Sequence, residues 1–281
     1  MRVLVPVAGL VLFLSSPLLS QCSDAGVCSI GPRTLEPGHS VSAHYTFGSS
    51  GSPDDLTVHT VDVSGSFRIL ENSRLSVKLP YSAQSGPLGS VQGIGDVTIL
   101  WDQLVFPDEP FTVRITAGGK IATGSVKNGN LPQAYQSGLG TNDVLVGVSV
   151  ERNLWNASIA YQISRGRSDN PRDRLRRGDD MLLRAGYAVQ FDAWNAGAEV
   201  LLIRRLRESS ILDSVLGQPE SFVNIRGSDQ TQINLLARAG LPVSESIELR
   251  AVTAIPLLQR KNNIDGLKRA LTLSAGLAYS F

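Results

Sequence analysis

The 281-residue chain has only two cysteines, Cys22 and Cys28, and three histidines, His39, His44 and His59. With no cysteine after position 28, a disulfide scaffold and a thiolate zinc site in the body are both excluded. So few histidines also rule out most histidine-rich metal chemistry, and no metal or cofactor is expected. Charge is scarce: 18% of residues are Asp, Glu, Lys or Arg, against about a quarter in ordinary soluble domains. Neither sign dominates, since 26 Lys and Arg face 25 Asp and Glu. A net charge of +1 provides no general basic stripe, so nucleic acid is not an expected partner. Long apolar runs are missing too. The only one covers residues 3–14, is interrupted by Pro6, and is too short to cross a bilayer comfortably.

That run reads instead as the centre of a secretory signal peptide over residues 1–20. Arg2 is its positive start, Ser15-Ser16-Pro17 breaks it, and Ser20 is a small residue at a plausible cleavage point. Residues 21–37 then form a short periplasmic segment, and 38–281 form the folded body. Cys22 and Cys28 are candidates for a disulfide, which an exported chain permits. Lipidation of Cys22 is the alternative, although Gln21 stands where a lipoprotein signal has a small residue.

What the body does have is alternation. Val61, Val63, Phe67 and Ile69 are interleaved with Asp62, Ser64, Ser66 and Arg68; Phe111, Val113, Ile115 and Ala117 with Thr112, Arg114 and Thr116. A period of two marks a strand with two unlike faces. It predicts twelve strands, at about 39–47, 57–69, 74–82, 95–105, 111–122, 142–151, 154–165, 179–190, 193–206, 229–242, 246–258 and 269–281. Strands of roughly 9–13 residues suit a tilted crossing of a bilayer. Short and long connections alternate without a fault, the long ones being 48–56, 83–94, 123–141, 166–178, 207–228 and 259–268.

A soluble β-sandwich also alternates polar and apolar residues, but it has no reason to alternate its loop lengths. A membrane barrel does, because one rim carries turns and the other carries loops. Aromatics near strand ends, among them Trp155, Tyr187, Trp194 and Tyr279, suit bilayer interfaces. The expected fold is all-β: a transmembrane antiparallel up-and-down β-barrel of about twelve strands in a Gram-negative outer membrane. Turns are short and periplasmic, loops long and extracellular, and both termini periplasmic.

Apolar residues facing lipid leave the other parity facing the lumen. The lumen-facing candidates are Asp62, Arg68, Lys78, Asp96, Asp102, Arg114, Lys120, Asp143, Arg184, Glu199, Arg238, Glu248 and Arg250, with His44 and Glu151 beside them. Mixed signs allow either a salt-bridge network that fills the lumen or a polar path for a small solute. Lumen-facing Gly147, Gly186 and Gly276 would favour a path if they aligned; Gly65 falls on the lipid face by parity. Strands returning from the long-loop rim begin with Asp: Asp55, Asp96, Asp143, Asp179, Asp180, Asp229 and Asp265. Local turn chemistry explains such a belt; pairing with basic loop residues, or a divalent cation, is the functional alternative.

The loop 165–177 carries six Arg and two Asp. It reads either as a flexible solvated loop or as a surface for lipopolysaccharide phosphate. Catalysis is not expected, since His59 has no Ser two residues away on its own face. Gly-Ile-Gly-Asp and Gly-Leu-Gly-Thr are not nucleotide loops, because no helix follows either.

The chain ends Leu277-Ala278-Tyr279-Ser280-Phe281. Leu277, Tyr279 and Phe281 resemble the C-terminal signal of bacterial outer-membrane proteins, which implies recognition by the barrel-insertion machinery. A second resemblance covers roughly 57–281. Leu79-Pro80, then Gly93-Ile94-Gly95-Asp96-Val97, then 118–124 (GGKIATG), then Gly138-Leu139-Gly140-Thr141-Asn142-Asp143, follow one another in an order similar to the transporter family of the meta-pathway of phenol degradation. Ala122 departs from it, standing where a Pro is usual. This resemblance implies a barrel with an uptake role and assigns no substrate residues. The expected function is a channel or transporter that passes a small solute, hydrophobic if the family is informative, through or out of a charged lumen. A closed structural or surface-interaction barrel working through its loops is the alternative. Membrane lipid, lipopolysaccharide and the solute are the expected partners.

Overall fold

The computed structural model describes residues 38–106, 110–213 and 221–281. The signal segment, residues 21–37 and the Cys22/Cys28 pair lie outside the described residues. Twelve strands build one closed sheet: β1 (Ser40–Ser49), β2 (Thr57–Leu70), β3 (Ser73–Gly86), β5 (Val97–Phe106), β6 (Thr112–Ile121), β7 (Asn142–Arg152), β8 (Trp155–Arg165), β9 (Asp180–Gln190), β10 (Asn195–Arg205), β13 (Thr231–Pro242), β14 (Ile247–Leu258) and β15 (Leu271–Ser280). Each pairs antiparallel with its sequence neighbour in the wall. The ring closes where β1 meets β15, from Ser40 opposite Ser280 to Ser49 opposite Leu271. One rung beyond, the His39 and Phe281 backbones exchange N–H···O bonds of 2.9 Å in both directions. Among the described residues no edge of the twelve-stranded wall is left unpaired, which is what hydrocarbon surroundings demand of a sheet.

Three regions depart from the sequence reading. β3 runs on to Gly86 and folds back as β4 (Gly89–Ile94), so part of the expected loop 83–94 is a hairpin standing above the wall. β11 (Ser210–Leu212) and β12 (Phe222–Asn224) form a second small hairpin inside the long connection 207–228. The last strand starts at Leu271 rather than at 269, because Arg269 and Ala270 belong to the loop. Turn-rich composition hid these short pairings, which are held by backbone bonds rather than by an apolar stripe.

Burial is inverted relative to a soluble domain. Val61, Val63, Leu79, Ile115, Val146, Ile159, Val200, Leu249 and Leu277 are exposed on the outer wall. Their inward neighbours Asp62, Thr116, Ser149 and Glu199 are buried. Parity alone sorts the two sets, because successive side chains of a strand point to opposite faces. At the short-turn rim the outer wall carries an aromatic girdle. Trp155 packs edge-on against Tyr187 at 4.7 Å, Phe191 stacks on Trp194 at 4.2 Å, and Tyr279 stacks on Phe281 at 5.8 Å. Such rings suit the headgroup boundary.

Val146 lies midway along β7 on this outer face. Val146→Arg is expected to destabilise the barrel by about 2–4 kcal/mol in bilayer refolding titrations. An unchanged midpoint would show that this face does not meet hydrocarbon.

Candidate functional site

The lumen is divided into three tiers along the barrel axis. The first, on the short-turn side, surrounds a cavity of about 750 Å³. Turn residues Glu71, Asn72, Asn153 and Leu154 line it, so it reaches that rim. Arg68, Asp102, Arg114, Arg184, Glu199, Arg238, Glu248 and Arg250 from the sequence-based set border it, with Asp62, Lys78, His44 and Glu151. Arg74, which the sequence reading did not single out, lines it as well.

Most charges of this tier are tied to partners. Lys78 Nζ lies 2.9 Å from Asp62 Oδ2, and Arg114 Nη2 lies 3.8 Å from Glu151 Oε1. Arg184 and Arg238 share Glu199, at 3.5 and 2.6 Å from its Oε2. Arg250 Nε donates to Glu248 Oε2 at 2.7 Å, and Asn195 Nδ2 donates to Glu248 Oε1 at 3.1 Å. Thr116 Oγ1 donates to Asp102 Oδ1 at 2.5 Å. Glycines do not align into a continuous path here. The Glu199 side chain covers Gly186 and the His44 ring covers Gly276, while Gly65 sits against the outward Phe67 ring.

The second tier is apolar. Leu100, Leu145, Ala160, Leu182, Leu201, Ile203, Leu236 and Ala254, from β5, β7–β10, β13 and β14, point inward and form one buried cluster. The sequence reading treated the lumen as charged throughout and missed this layer. Its signal is present as runs that break the alternation, such as Leu182-Leu183, Leu201-Leu202 and Leu235-Leu236.

The third tier lies toward the long-loop rim and is ionic. Asp143 takes Lys120 at 3.2 Å and Arg177 at 2.8 Å, and accepts bonds from Gln162 Nε2 and Thr141 Oγ1. Arg205 binds Asp180 through two nitrogens, at 3.0 and 2.9 Å, and reaches Asp265 at 2.8 Å. Arg260 faces the same two carboxylates at 3.6 and 3.9 Å. Arg177, Arg260 and Asp265 come from loops, so the loops are clamped into the barrel mouth.

Other loop contacts complete the closure. Asp96 accepts the backbone N–H groups of Gly124 (3.0 Å) and Leu139 (2.7 Å). Burial pushes its carboxyl above the ordinary value, against the pull of Lys120. Gln84 Nε2 donates to the Gln136 carbonyl, Ser168 Oγ to Gln133 Oε1, and Asn170 Nδ2 to the Val126 and Leu131 carbonyls. Gly266 has φ +73°, and a Cβ there would lie 2.4 Å from the Ala134 carbonyl oxygen, so loops 122–141 and 259–270 meet in backbone contact. Leu175 and Leu267 are buried beneath.

The acidic series is thus not a continuous belt. Asp143 is buried in the mouth with Lys120 and Arg177, Asp180 and Asp265 are buried there sharing Arg205 and Arg260, Asp179 pairs with Arg207, and Asp229 with Arg204. Asp55 occupies a left-handed turn position, φ 46°. No group of three or more His, Cys, Asp or Glu among the described residues could hold a metal ion. His59 packs edge-on against Phe47 at 5.6 Å on the outer wall. The loop 165–177 is a fixed structure rather than a solvated tether, since Ser168 and Asn170 are fully buried.

This geometry defines a class: a closed, antiparallel, twelve-stranded barrel with an apolar exterior, a polar vestibule and infolded loops, which is the fold of outer-membrane channels. It is similar to an outer-membrane channel from Pseudomonas putida F1, with a TM-score of 0.68 at 13% identity, covering 88% of this chain and 97% of that one. It is similar also to the NanC porin, with a TM-score of 0.51 at 11% identity, covering 87% and 100%. No family model and no curated protein matches the chain.

Asp265 lies in loop 259–270, where Arg205 and Arg260 outweigh its burial and hold its carboxyl well below the usual carboxylate range. A depressed carboxylate stabilises above its unfolded value near 4 and loses that contribution as pH falls through its folded value. Asp265→Asn is expected to cost about 3 kcal/mol at neutral pH by stranding buried guanidinium charge. It should also flatten the acid limb of the stability profile below about pH 4. Identical acid limbs for both proteins would refute the clamp.

Proposed function

We propose that this protein is a gated outer-membrane channel for a small solute, with the cavity as its inner vestibule and the loop-filled mouth as its gate. The observation that carries the reading is the pairing of a 750 Å³ charge-lined cavity at the short-turn rim with a long-loop rim closed by side chains. Short turns belong on the periplasmic side of outer-membrane barrels, so both termini and the vestibule face the periplasm. The similarity of fold to outer-membrane channels supports an outer-membrane location.

The tiers set the chemistry of the solute. It must cross the leucine layer around Leu201 and Leu236 and then meet ion pairs such as Arg184–Glu199–Arg238. A small molecule with an apolar body and one polar or charged group satisfies both layers. Such a solute accords with the resemblance to the phenol meta-pathway transporters. Leu277, Tyr279 and Phe281, with two of the three exposed as aromatic rings at the short-turn rim, serve as the insertion signal. The chain acts without catalysis in this reading. The closed mouth also fits a barrel that works only through its loops, and the test separates the two.

Single-channel recording of the refolded protein is the test. Wild type is expected to be mostly closed with brief openings. Gly266→Ala pushes loop 259–270 off the Ala134 carbonyl and should raise open probability severalfold. Arg114→Ala, added to it, should shift ion selectivity toward cations. A wide, steady wild-type conductance would contradict the gate. Silence in all three proteins, with folded barrels, would leave the surface barrel as the better account.

A further inference from the structure

The outer wall over β7–β10 carries two features that no channel needs. The first is an apolar groove of about 440 Å³ between Val148, Ala157, Ile159, Ala185, Val200 and Leu202. Ala157 and Ala185 face each other across β8 and β9, and their short side chains leave the depression between larger neighbours. The second lies above it, at the long-loop ends of the same strands. Arg165 closes β8, Arg204 is the last outward residue of β10, and Arg207 follows just after. Arg204 is two positions beyond the groove residue Leu202. No other barrel strand has an outward Arg or Lys at this rim among the described residues.

The basic sector continues upward into the arginine loop. Arg172, Arg174 and Arg176 alternate with Asp173, Leu175 and Arg177, which turn inward. The Arg176 and Ser210 backbones exchange two hydrogen bonds, of 2.8 and 2.9 Å, which fixes this edge to the β11 hairpin. Arg167 lies 3.6 Å over the Phe222 ring. Burial, and after it the charges of Arg176 and Arg174, hold its guanidinium below the ordinary arginine value. Arg207 and Arg204 each meet one carboxylate, Asp179 and Asp229 (3.4 Å), with both side chains still partly exposed, while Asp173 accepts the Gln133 N–H. Arg165 and Arg176 form no ion pair with another described residue.

We propose that this face holds one molecule of lipopolysaccharide, with an acyl chain of its lipid A in the groove and the lipid A phosphates on Arg165, Arg204 and Arg207. Apolar depression and guanidinium cluster stand on the same three or four strands in the order that such a lipid presents tail and phosphate. Planar guanidinium groups match phosphate oxygens through paired donors. The outward orientation is the one argued under the proposed function, but the site does not require that the barrel conduct.

The full chain, purified in detergent, is titrated with diphosphorylated lipid A and read by native mass spectrometry for retained lipid. One retained molecule per barrel is expected. Phosphate-free lipid A should bind roughly tenfold or more weakly to the wild type, with no substitution needed. The R165A/R204A/R207A variant should lose a similar factor for intact lipid A, and Ala185→Leu should lose retention by filling the groove. Equal retention of the phosphate-free lipid overturns the proposal. So does undiminished binding by a folded arginine variant, or equal retention of phosphatidylglycerol, which would make the face a general anionic-lipid surface. Because conductance is not read, failure here leaves the channel untouched, and a silent channel leaves the lipid site untouched.

Discussion

A strand that crosses hydrocarbon must satisfy every backbone N–H and C=O from another strand, because the solvent offers no partner. The ten-rung pairing of β1 with β15 meets that demand for the whole molecule. Without it the eleven other strand pairs would form an open sheet with two bare edges. Closure also fixes which side chains can go where. Once the wall is a ring, each strand has an outside and an inside, and a period of two sorts them without further instruction. Val146 faces out and Ser149 faces in because of their parity in β7 and not because of any packing partner.

The same closure creates the problem that the interior solves. Polar side chains forced into a narrow lumen must find partners or water. On the short-turn side they have both, in paired charges around a cavity. In the mouth, loops supply the partners. Arg205 is satisfied by one carboxylate from the wall, Asp180, and one from a loop, Asp265. Buried clusters of this kind fix a particular arrangement in some proteins, and a fixed arrangement is what the proposed gate requires.

Much of the wall was legible in the sequence, and the reasons are physical. Alternation in β2, β6 or β8 extends over ten or more residues, and loop lengths add a second regularity independent of it. The lumen-facing charges follow from parity, and the structure places Asp62, Arg114, Arg184 and Glu199 inside the wall. Their distribution along the axis was not legible. Asp96, Lys120 and Asp143 share parity with Asp102 and Arg184 yet belong to the closed mouth, because strand tilt and loop infolding decide height. Leu201 and Leu236 looked like interruptions of a pattern rather than a layer, since their mutual contact spans separate strands. Gln133, Ser168 and Asn170 carry no sequence signal for burial; only the neighbouring loops make them interior. The order of the arginine loop was hidden for the same reason, in that Asn170 binds carbonyls some forty residues upstream.

The central claim is that the lumen is open to one rim and closed to the other. Ser42 lines the cavity, with its hydroxyl 2.8 Å from that of Ser64. Ser42→Cys, in a background with Cys22 and Cys28 replaced by serine, can be exposed to a membrane-impermeant thiol reagent in oriented proteoliposomes. The account predicts rapid labelling from the short-turn side and labelling slower by orders of magnitude from the long-loop side. Equal rates from both sides would contradict it, because a reagent that reaches Ser42 through the mouth has found no closed tier in its way.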